Sequence, residues 1–433
     1  MSLDRPPLEL NADFQYILDV LENTKGNLFI TGRAGTGKST LLQLFRNTTR
    51  KKTVVLAPTG IAALNVKGQT IHSFFGFPPR PLTRQDIKKR ANRRLFQRVE
   101  VLVIDEISMV RADLLDSIDY FLRINRENPM PFGGVQVVFF GDLFQLPPVV
   151  SSEVESGLFS SFYESPYFFS AQVFNDPTFA MEMVELRKVY RQENRRFLRL
   201  LDAVRLNQID QDDLTELNER CIPDFEAGEF FITLSARNAR VDAINRAEMD
   251  KIPLPPAVYT ATVKGDFPAN QYPVDPALAL KLNAQVMLVR NDPEKNYVNG
   301  TIGRVVKLET DKITVTVEES DGSRRNVEVG QAEWEILRYR LHPEDPNRIE
   351  AEAVGSFVQF PVKPAWAVTV HKAQGQTFEK VIIDLGKGAF EHGQTYVALS
   401  RCRTLEGIVL RQPLRYSDIL VDQRVVEFYE RNF

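Results

Sequence analysis

Two cysteines and four histidines are all that 433 residues offer as soft metal ligands. Cys221 and Cys402 are far apart, and no histidine joins them at ligand spacing. Zinc ribbons, zinc fingers and iron–sulfur centres are thereby excluded as the basis of function. So few thiols also exclude a disulfide-stapled scaffold and imply free thiols in a reducing compartment. No apolar run approaches the ~18 residues of a membrane span, so no membrane partner is expected. The first residues, MSLDRPPLEL, lack an apolar signal core and carry Asp4, so no targeting segment is expected and residence is cytoplasmic. Internal repeats and low-complexity tracts are missing as well.

What is present describes an ordinary globular chain of about three domains, with 43% hydrophobic and 26% charged residues. A net charge of −3 does not mark a binder of polyanions. Charge is nevertheless uneven: residues 80–98, RPLTRQDIKKRANRRLFQR, hold eight Lys/Arg and one acid. Such a run is either a solvated basic face or a contact for phosphate backbone.

Apolar strand-like runs alternate with helical stretches over residues 1 to about 185. LFIT (28–31), TVVLAP (53–58), VEVLVID (99–105) and VQVVFFGD (135–142) each end in a polar or glycine-containing turn. This alternation predicts a mostly parallel sheet covered on both faces, with ligands at the carboxyl ends of its strands. Residues 186 to about 245 read as helical, followed by the strand FFITLS. Residues 250–276 carry six prolines and read as a linker or an irregular entry to an insertion. Over 285–329, VMLVR, TIGRVVKLE, KITVTVEE and RRNVEVG alternate like antiparallel strands, with DG at 321–322 as a hairpin signal. From about 363 the α/β pattern returns in AWAVTVHKAQG, KVIIDL and GIVLR. The fold class is α/β, with a β insertion interrupting the second α/β unit.

The chemistry starts in NLFITGRAGTGKST, residues 27–40. Gly32, Gly37, Lys38 and Ser39 match G-x-x-x-x-G-K-S/T after a short apolar strand. Glycines let backbone amides from Gly32, Arg33, Ala34, Gly35, Thr36 and Gly37 curl around phosphate oxygens. Lys38 reaches the outer phosphates, and Ser39, with Thr40 beside it, opens a helix whose positive end faces the anion. The Ser39 hydroxyl is a ligand for Mg²⁺. A nucleoside triphosphate with Mg²⁺ is therefore the expected ligand.

VLVIDE (101–106) places two carboxylates at a strand end. Asp105 suits Mg²⁺, and Glu106 suits orienting or deprotonating an attacking water, which favours hydrolysis over transfer. In GDLFQLPPV (141–149), Gln145 is the candidate to sense the γ-phosphate, because an amide both donates and accepts. Arg191 in LRKVYRQ and Arg401 in VALSRCRT, both expected in the second α/β unit, are candidates to stabilise charge on the transferring phosphoryl group. If both reach the nucleotide, it lies between two domains, and hydrolysis changes how they sit together.

GRAGTGKST, APTGIAALNVKGQTIHSFF, VLVIDEISMV, FFGDLFQLPPV, LRKVYRQ, AVTVHKAQGQTFEKVIIDL and YVALSRCRT occur in this order. Together they resemble the motifs of superfamily 1 DNA helicases of the 5′-to-3′ branch. Within that branch the chain resembles the petite integration frequency family, with RecD-like helicases as relatives. DEISMVRADLLDSIDYFLR (105–123) is similar to the stretch that marks the former. The motifs fall within residues 10–150, 185–200 and 365–405, and 150–185 and 205–355 carry little of them.

The resemblance implies two RecA-like domains with ATP between them. It divides the chain into 1–185, with a wedge insertion at about 74–90; 186–248 with 356–433; and an SH3-like β insertion at 249–355. It implies Gln15 as the adenine-reading residue. It implies single-stranded DNA across both domains, at Thr59, Gly60, His72 and Phe74 in the first and Thr369, His371, Lys372 and Gln374 in the second. Phe75 and Phe77 join Phe74 as aromatics that could stack on bases or pack in a core. The implied activity is ATP-dependent 5′-to-3′ translocation by a monomer that unwinds duplexes, forks, RNA–DNA hybrids and G-quadruplexes. A wedge near Pro78 to Leu82 would split the strands. Roles in DNA repair, recombination and telomere maintenance, beside the chromosome, go with it. A RecD-like subunit of a larger complex and a P-loop switch without unwinding are the alternatives.

Overall fold

The strand-like runs that end in polar turns line up side by side. The computed structural model describes residues 11–150, 162–192, 194–319, 322–345 and 347–433. In it β1 (Asn27–Gly32), β2 (Thr53–Ala57), β3 (Gln69–Thr70), β4 (Val101–Ile104), β5 (Gln136–Phe140) and β6 (Met181–Leu186) form one parallel sheet in the order β3-β2-β4-β5-β1-β6. Every residue of β4 and β5 is buried, as continuous hydrophobic strands covered on both faces must be. Two of the six strands carry no clear sequence signal. β3 is two residues long, and β6, MEMVEL, interleaves acids with apolar residues because it is a half-exposed edge.

Helices cover the sheet. Asn11 caps α1 (Ala12–Asn23) by accepting the Phe14 amide at 2.8 Å. α2 (Lys38–Thr48) buries Leu41, Leu42 and Phe45. α3 (Gly60–Asn65) and α4 (Ile71–Phe75) follow β2 and β3. α5 (Arg94–Arg98) precedes β4, and α6 (Ala112–Arg126) buries Leu115, Ile118, Phe121 and Leu122 at helical spacing. Part of the basic run serves local structure. Arg80 pairs with Asp86, Lys89 and Arg93 pair with Glu127, and Arg90 donates to the Phe75 carbonyl. Arg94 and Arg98 stay exposed.

Beyond the first sheet come α7 (Arg195–Arg205), α8 (Gln211–Asn218), β7 (Ile232–Ser235) and α9 (Asn238–Asp250). The proline-rich stretch is not a plain linker: it contains β8 (Ala257–Thr260) and β9 (Thr262–Gly265). Its prolines, from Pro253 to Pro256 and from Pro268 to Pro276, bound these strands without interrupting them, which is where a residue without an N–H is tolerated. β10 (Ala277–Leu280) pairs with β8. β11 (Gln285–Leu288), β12 (Ile302–Leu308), β13 (Lys312–Glu318) and β14 (Arg324–Gly330) are antiparallel neighbours. Asp321 of the hairpin signal lies outside the described residues. β15 (Ala332–Leu341) and β16 (Ile349–Gln359) form a long hairpin joined by β9, and β17 (Val362–Pro364) pairs with β11. β18 (Ala367–Thr369), β19 (Val381–Asp384) and β20 (Ile408–Leu410) join β7 in a second parallel sheet, β18-β7-β19-β20. α10 (Gln394–Leu399) and α11 (Gln423–Asn432) complete it.

The long hairpin rests on the first sheet. The Tyr339 hydroxyl accepts the Val55 amide at 3.1 Å, and the Tyr339 amide donates to Gln69 Oε1 at 3.1 Å. The β-rich module, inserted in the chain between β7 and β18 of the second sheet, thus packs against the first sheet.

Candidate nucleotide and nucleic-acid site

β1 delivers the loop 32–37 to the carboxyl edge of the first sheet. Gly35 and Gly37 hold φ of 85° and 87°, where L side chains are strained, and a Cβ on Gly35 would collide with Arg191. Lys38 opens α2, and its Nζ donates to the Gly32 carbonyl at 2.6 Å and the Arg33 carbonyl at 3.1 Å. Burial lowers its pKa, and the charges of Asp142 and Glu106 oppose that shift. Ser39 and Thr40 are exposed at the mouth of the loop.

Asp105 and Glu106 leave the end of β4, where the Asp105 amide donates to the Leu56 carbonyl of β2 at 2.9 Å. Glu106 sits at φ 51°, a left-handed conformation costly for a non-glycine residue and held by the packing of the following turn. Burial raises the pKa of both carboxyls; Glu106 adds to the effect on Asp105, while Lys38 and Arg401 oppose it on Glu106. Two buried carboxyls at one strand end are hard oxygen donors of the kind that suits Mg²⁺ shared with phosphates. Among the described residues no three His, Cys, Asp or Glu side chains cluster as a metal cage.

Gln145 follows β5 and is buried, and its Oε1 accepts the Gln374 side-chain amide at 3.4 Å. Two residues chosen for different roles, one toward phosphate and one toward a nucleic-acid strand, are therefore in contact. Arg401 is fully buried and donates to the Val397 carbonyl and the Ser400 hydroxyl. Arg191 differs from expectation. It lies on the segment that leaves the end of β6 on the phosphate-loop side, with the Tyr190 amide donating to the Gly35 carbonyl at 2.9 Å. From there it reaches the Ser400 carbonyl at 3.3 Å. Burial, and then the Arg401 charge, push the Arg191 pKa down to about 9; burial lowers that of Arg401 too. Two guanidiniums are held close in a buried place, which is an environment made for a polyanion.

Gln15 is exposed in the first turn of α1; its neighbour Phe14 packs beside Gly37. Thr59 caps α3, its hydroxyl accepting the Ala62 amide at 3.2 Å, and Gly60 lies under the side chain of Gln271 from the β-rich module. His72 is half-buried, and burial lowers its pKa. On the other sheet the Thr369 hydroxyl accepts the Lys372 amide at 3.3 Å, His371 Nε2 lies 2.9 Å from Glu391 Oε2, and Lys372 is exposed.

Phe74 is a correction. It is 8% exposed, and its ring meets Phe75 at 4.9 Å, Phe96 at 5.4 Å and Tyr339 at 6.1 Å, all near-perpendicular. Phe75 and Phe77 are buried in the same cluster. Their π-faces are covered by one another, so these rings are core and present no platform for bases.

Three residues that sequence reasoning passed over belong to the site. Tyr190 is an exposed ring beside Gly37, with its hydroxyl accepting from Asn11 at 3.2 Å. Its adjacency to Arg191 was a usable signal. Asp142 is buried just past the end of β5, after Gly141. Arg205 carries no signal, being one arginine among many on an amphipathic helix.

A phosphate loop and a pair of buried carboxyls on one parallel sheet, with an arginine and a glutamine arriving from a second, define a P-loop ATPase of the helicase class. The sequence matches the PIF1-like helicase family over residues 9–215. It is 33% identical to the ATP-dependent DNA helicase PIF1 of Emericella nidulans over 96% of this chain and 62% of that protein. It is 31% identical to the Pif1 helicase of Bdellovibrio bacteriovorus over 98% of this chain and 92% of that one. The solved structure of Bacteroides sp Pif1 with ADP-AlF4 superposes with a TM-score of 0.90 at 39% identity, covering 98% and 97% of the two chains. The Bacteroides protein bound to ssDNA superposes with a TM-score of 0.68 at the same identity and coverage. The chain belongs to the PIF1-like helicase family. No helix among its described residues is long and apolar enough to cross a membrane.

Proposed function

We propose that the chain is an ATP-dependent DNA helicase that moves 5′ to 3′ along single-stranded DNA. The observation that carries this reading is the contact of Gln145 with Gln374 between the two sheets. Nucleotide-facing residues of one sheet thereby touch strand-facing residues of the other, so a change at the phosphates moves a grip on DNA.

Lys38 and the loop amides hold the phosphates, with Gln15 on the adenine edge and the Tyr190 ring available to stack on the base. Ser39 and Asp105 would hold Mg²⁺, which supplies charge neutralisation at the phosphates when bound. Glu106, its proton affinity raised by burial, takes the proton of the attacking water. Arg191 and Arg401 stabilise the charge that develops on the phosphoryl oxygens. Thr59, Gly60 and His72 contact the strand on the first domain, and Thr369, His371, Lys372 and Gln374 on the second. The domains divide as 1–185, 186–248 with 356–433, and an SH3-like insertion at 249–355, with a wedge at about 74–90. Duplexes, forks, RNA–DNA hybrids and G-quadruplexes are the substrates, and the chain acts as a monomer beside the chromosome, with telomeres among its sites of action. A solved relative bound to ssDNA supports DNA as the ligand.

The test is steady-state ATP hydrolysis with and without single-stranded DNA, with Lys38→Ala as control, followed by unwinding of duplexes bearing a 5′ or a 3′ tail. Stimulation that the control loses, and unwinding only from the 5′ tail, are the expected results. Intact hydrolysis that DNA does not stimulate would overturn the motor reading.

A further inference from the structure

Tyr396 lies on α10, five residues before Arg401, and is 3% exposed. Its hydroxyl makes two hydrogen bonds across the cleft. It accepts the Ala34 amide of the phosphate loop at 3.2 Å and donates to Asp142 Oδ2 at 3.2 Å. Burial and the Asp142 charge push its pKa up, so the group stays a phenol and its single proton belongs to the carboxylate. Asp142 in turn accepts the Gln145 side-chain amide at 3.3 Å. The far end of the same helix is held too: the Ser400 carbonyl accepts Arg191 at 3.3 Å and Gln192 at 3.2 Å.

One hydroxyl therefore joins the phosphate loop, the strand end that bears Gln145, and the helix that runs into Arg401. Its partners stand 362 and 254 residues away in sequence, so both bonds report the relation of the two sheets and neither is local. We propose that Tyr396 is a positioning residue that couples occupancy of the phosphate loop to the placement of Arg401 and, through Asp142, Gln145 and Gln374, to the grip on DNA. Phosphate that shifts the Ala34 amide strains or relaxes the Tyr396 bond, and the helix beyond it follows. Because coupling is reciprocal, DNA on the Gln374 side biases the same bond from the other direction.

The inference rests on the DNA-motor reading above and is tested in the full chain with Tyr396→Phe, which keeps the ring and removes the hydroxyl. The dissociation constant for a fluorescent oligothymidylate is measured without nucleotide and with ADP–aluminium fluoride, beside kcat and KM for DNA-stimulated hydrolysis. The ratio of the two dissociation constants is expected to shrink toward one by on the order of tenfold, as for loss of a charge-assisted hydrogen bond, with kcat falling by a similar factor. A fold defect would weaken both constants and leave their ratio alone. Tyr429→Phe is the control: its hydroxyl, half-buried on α11, donates to Glu185 at 2.8 Å, and the wild-type ratio is expected. Tyr396→Phe with a wild-type ratio and kcat, or Tyr429→Phe with an equal loss, overturns the inference. A wild-type chain with neither a nucleotide-dependent DNA affinity nor DNA-stimulated hydrolysis overturns the motor reading itself, and this inference with it.

Discussion

Arg205 Nη2 on α7 stands 3.5 Å from Asp142 Oδ1 at the end of β5, and both side chains are sealed from solvent. Arg205 also lies 3.5 Å from Glu185 and over the rings of Phe144 and Tyr429, at 4.5 and 5.2 Å. The pair fastens α7 to the strand ends that carry the site. Removing the cation alone strands a buried carboxylate, so Arg205→Ala should cost about 3–5 kcal/mol. Arg205 and Asp142 replaced together by apolar residues of matching volume should cost less, because the fully buried carboxylate is then removed with its cation and only the partly exposed Glu185 loses a partner. Urea unfolding midpoints of the single and double variants check this.

Glu106, at the end of β4, feels the charges of both Lys38 and Arg401. Glu106→Gln keeps its shape and hydrogen-bonding reach while removing the base. Turnover should fall by roughly 10²–10⁴-fold, with binding of ATP and single-stranded DNA kept. Single-turnover hydrolysis beside equilibrium titrations separates the two effects. Retained hydrolysis would take Glu106 out of the role.

For Phe74, core packing and base stacking give opposite results. Its ring is enclosed by Phe75, Phe96 and Tyr339, so Phe74→Ala should lower unfolding free energy by about 3–5 kcal/mol. Affinity for single-stranded DNA below the unfolding transition should stay close to wild type. A variant that is stable but binds DNA poorly would restore the stacking role.

The phosphate loop, the Asp105–Glu106 pair and Gln145 were legible because each follows a run of buried strand residues, and the strand tells where the polar residue must emerge. His72 and Phe74 show where that logic stops. α4 is one and a half turns long, so the sequence says that its aromatics alternate faces but not which face has a core against it. That core includes Tyr339, which arrives from β15, more than 260 residues later. The prolines around β8 and β9 misled for a related reason: they mark the ends of strands as readily as they mark a linker. The place of Arg191 beside the phosphate loop was not legible, because it follows β6, a half-exposed edge strand that the hydrophobic pattern does not report.

Lys363 on β17 offers a prediction in pH. Burial, and then the charge of Lys372, push its pKa down to about 8, and no carboxylate offsets them among its electrostatic neighbours. A lysine whose folded pKa lies below its unfolded value binds its proton more tightly in the unfolded chain. Its charge therefore opposes folding below about pH 8, and the penalty is relieved as pH rises from about 8 toward the unfolded value of about 10.4. Lys363→Met should raise stability at pH 7 by on the order of 1–3 kcal/mol and flatten the stability profile between those two pH values. Unfolding midpoints at pH 7 and pH 10 for both proteins decide it: if the gain is the same at both, the lysine charge is not the source. A phosphate from bound DNA beside Lys363 and Lys372 would reverse the electrostatics, so the variant's advantage at pH 7 should shrink when the same unfolding is followed with an oligothymidylate present.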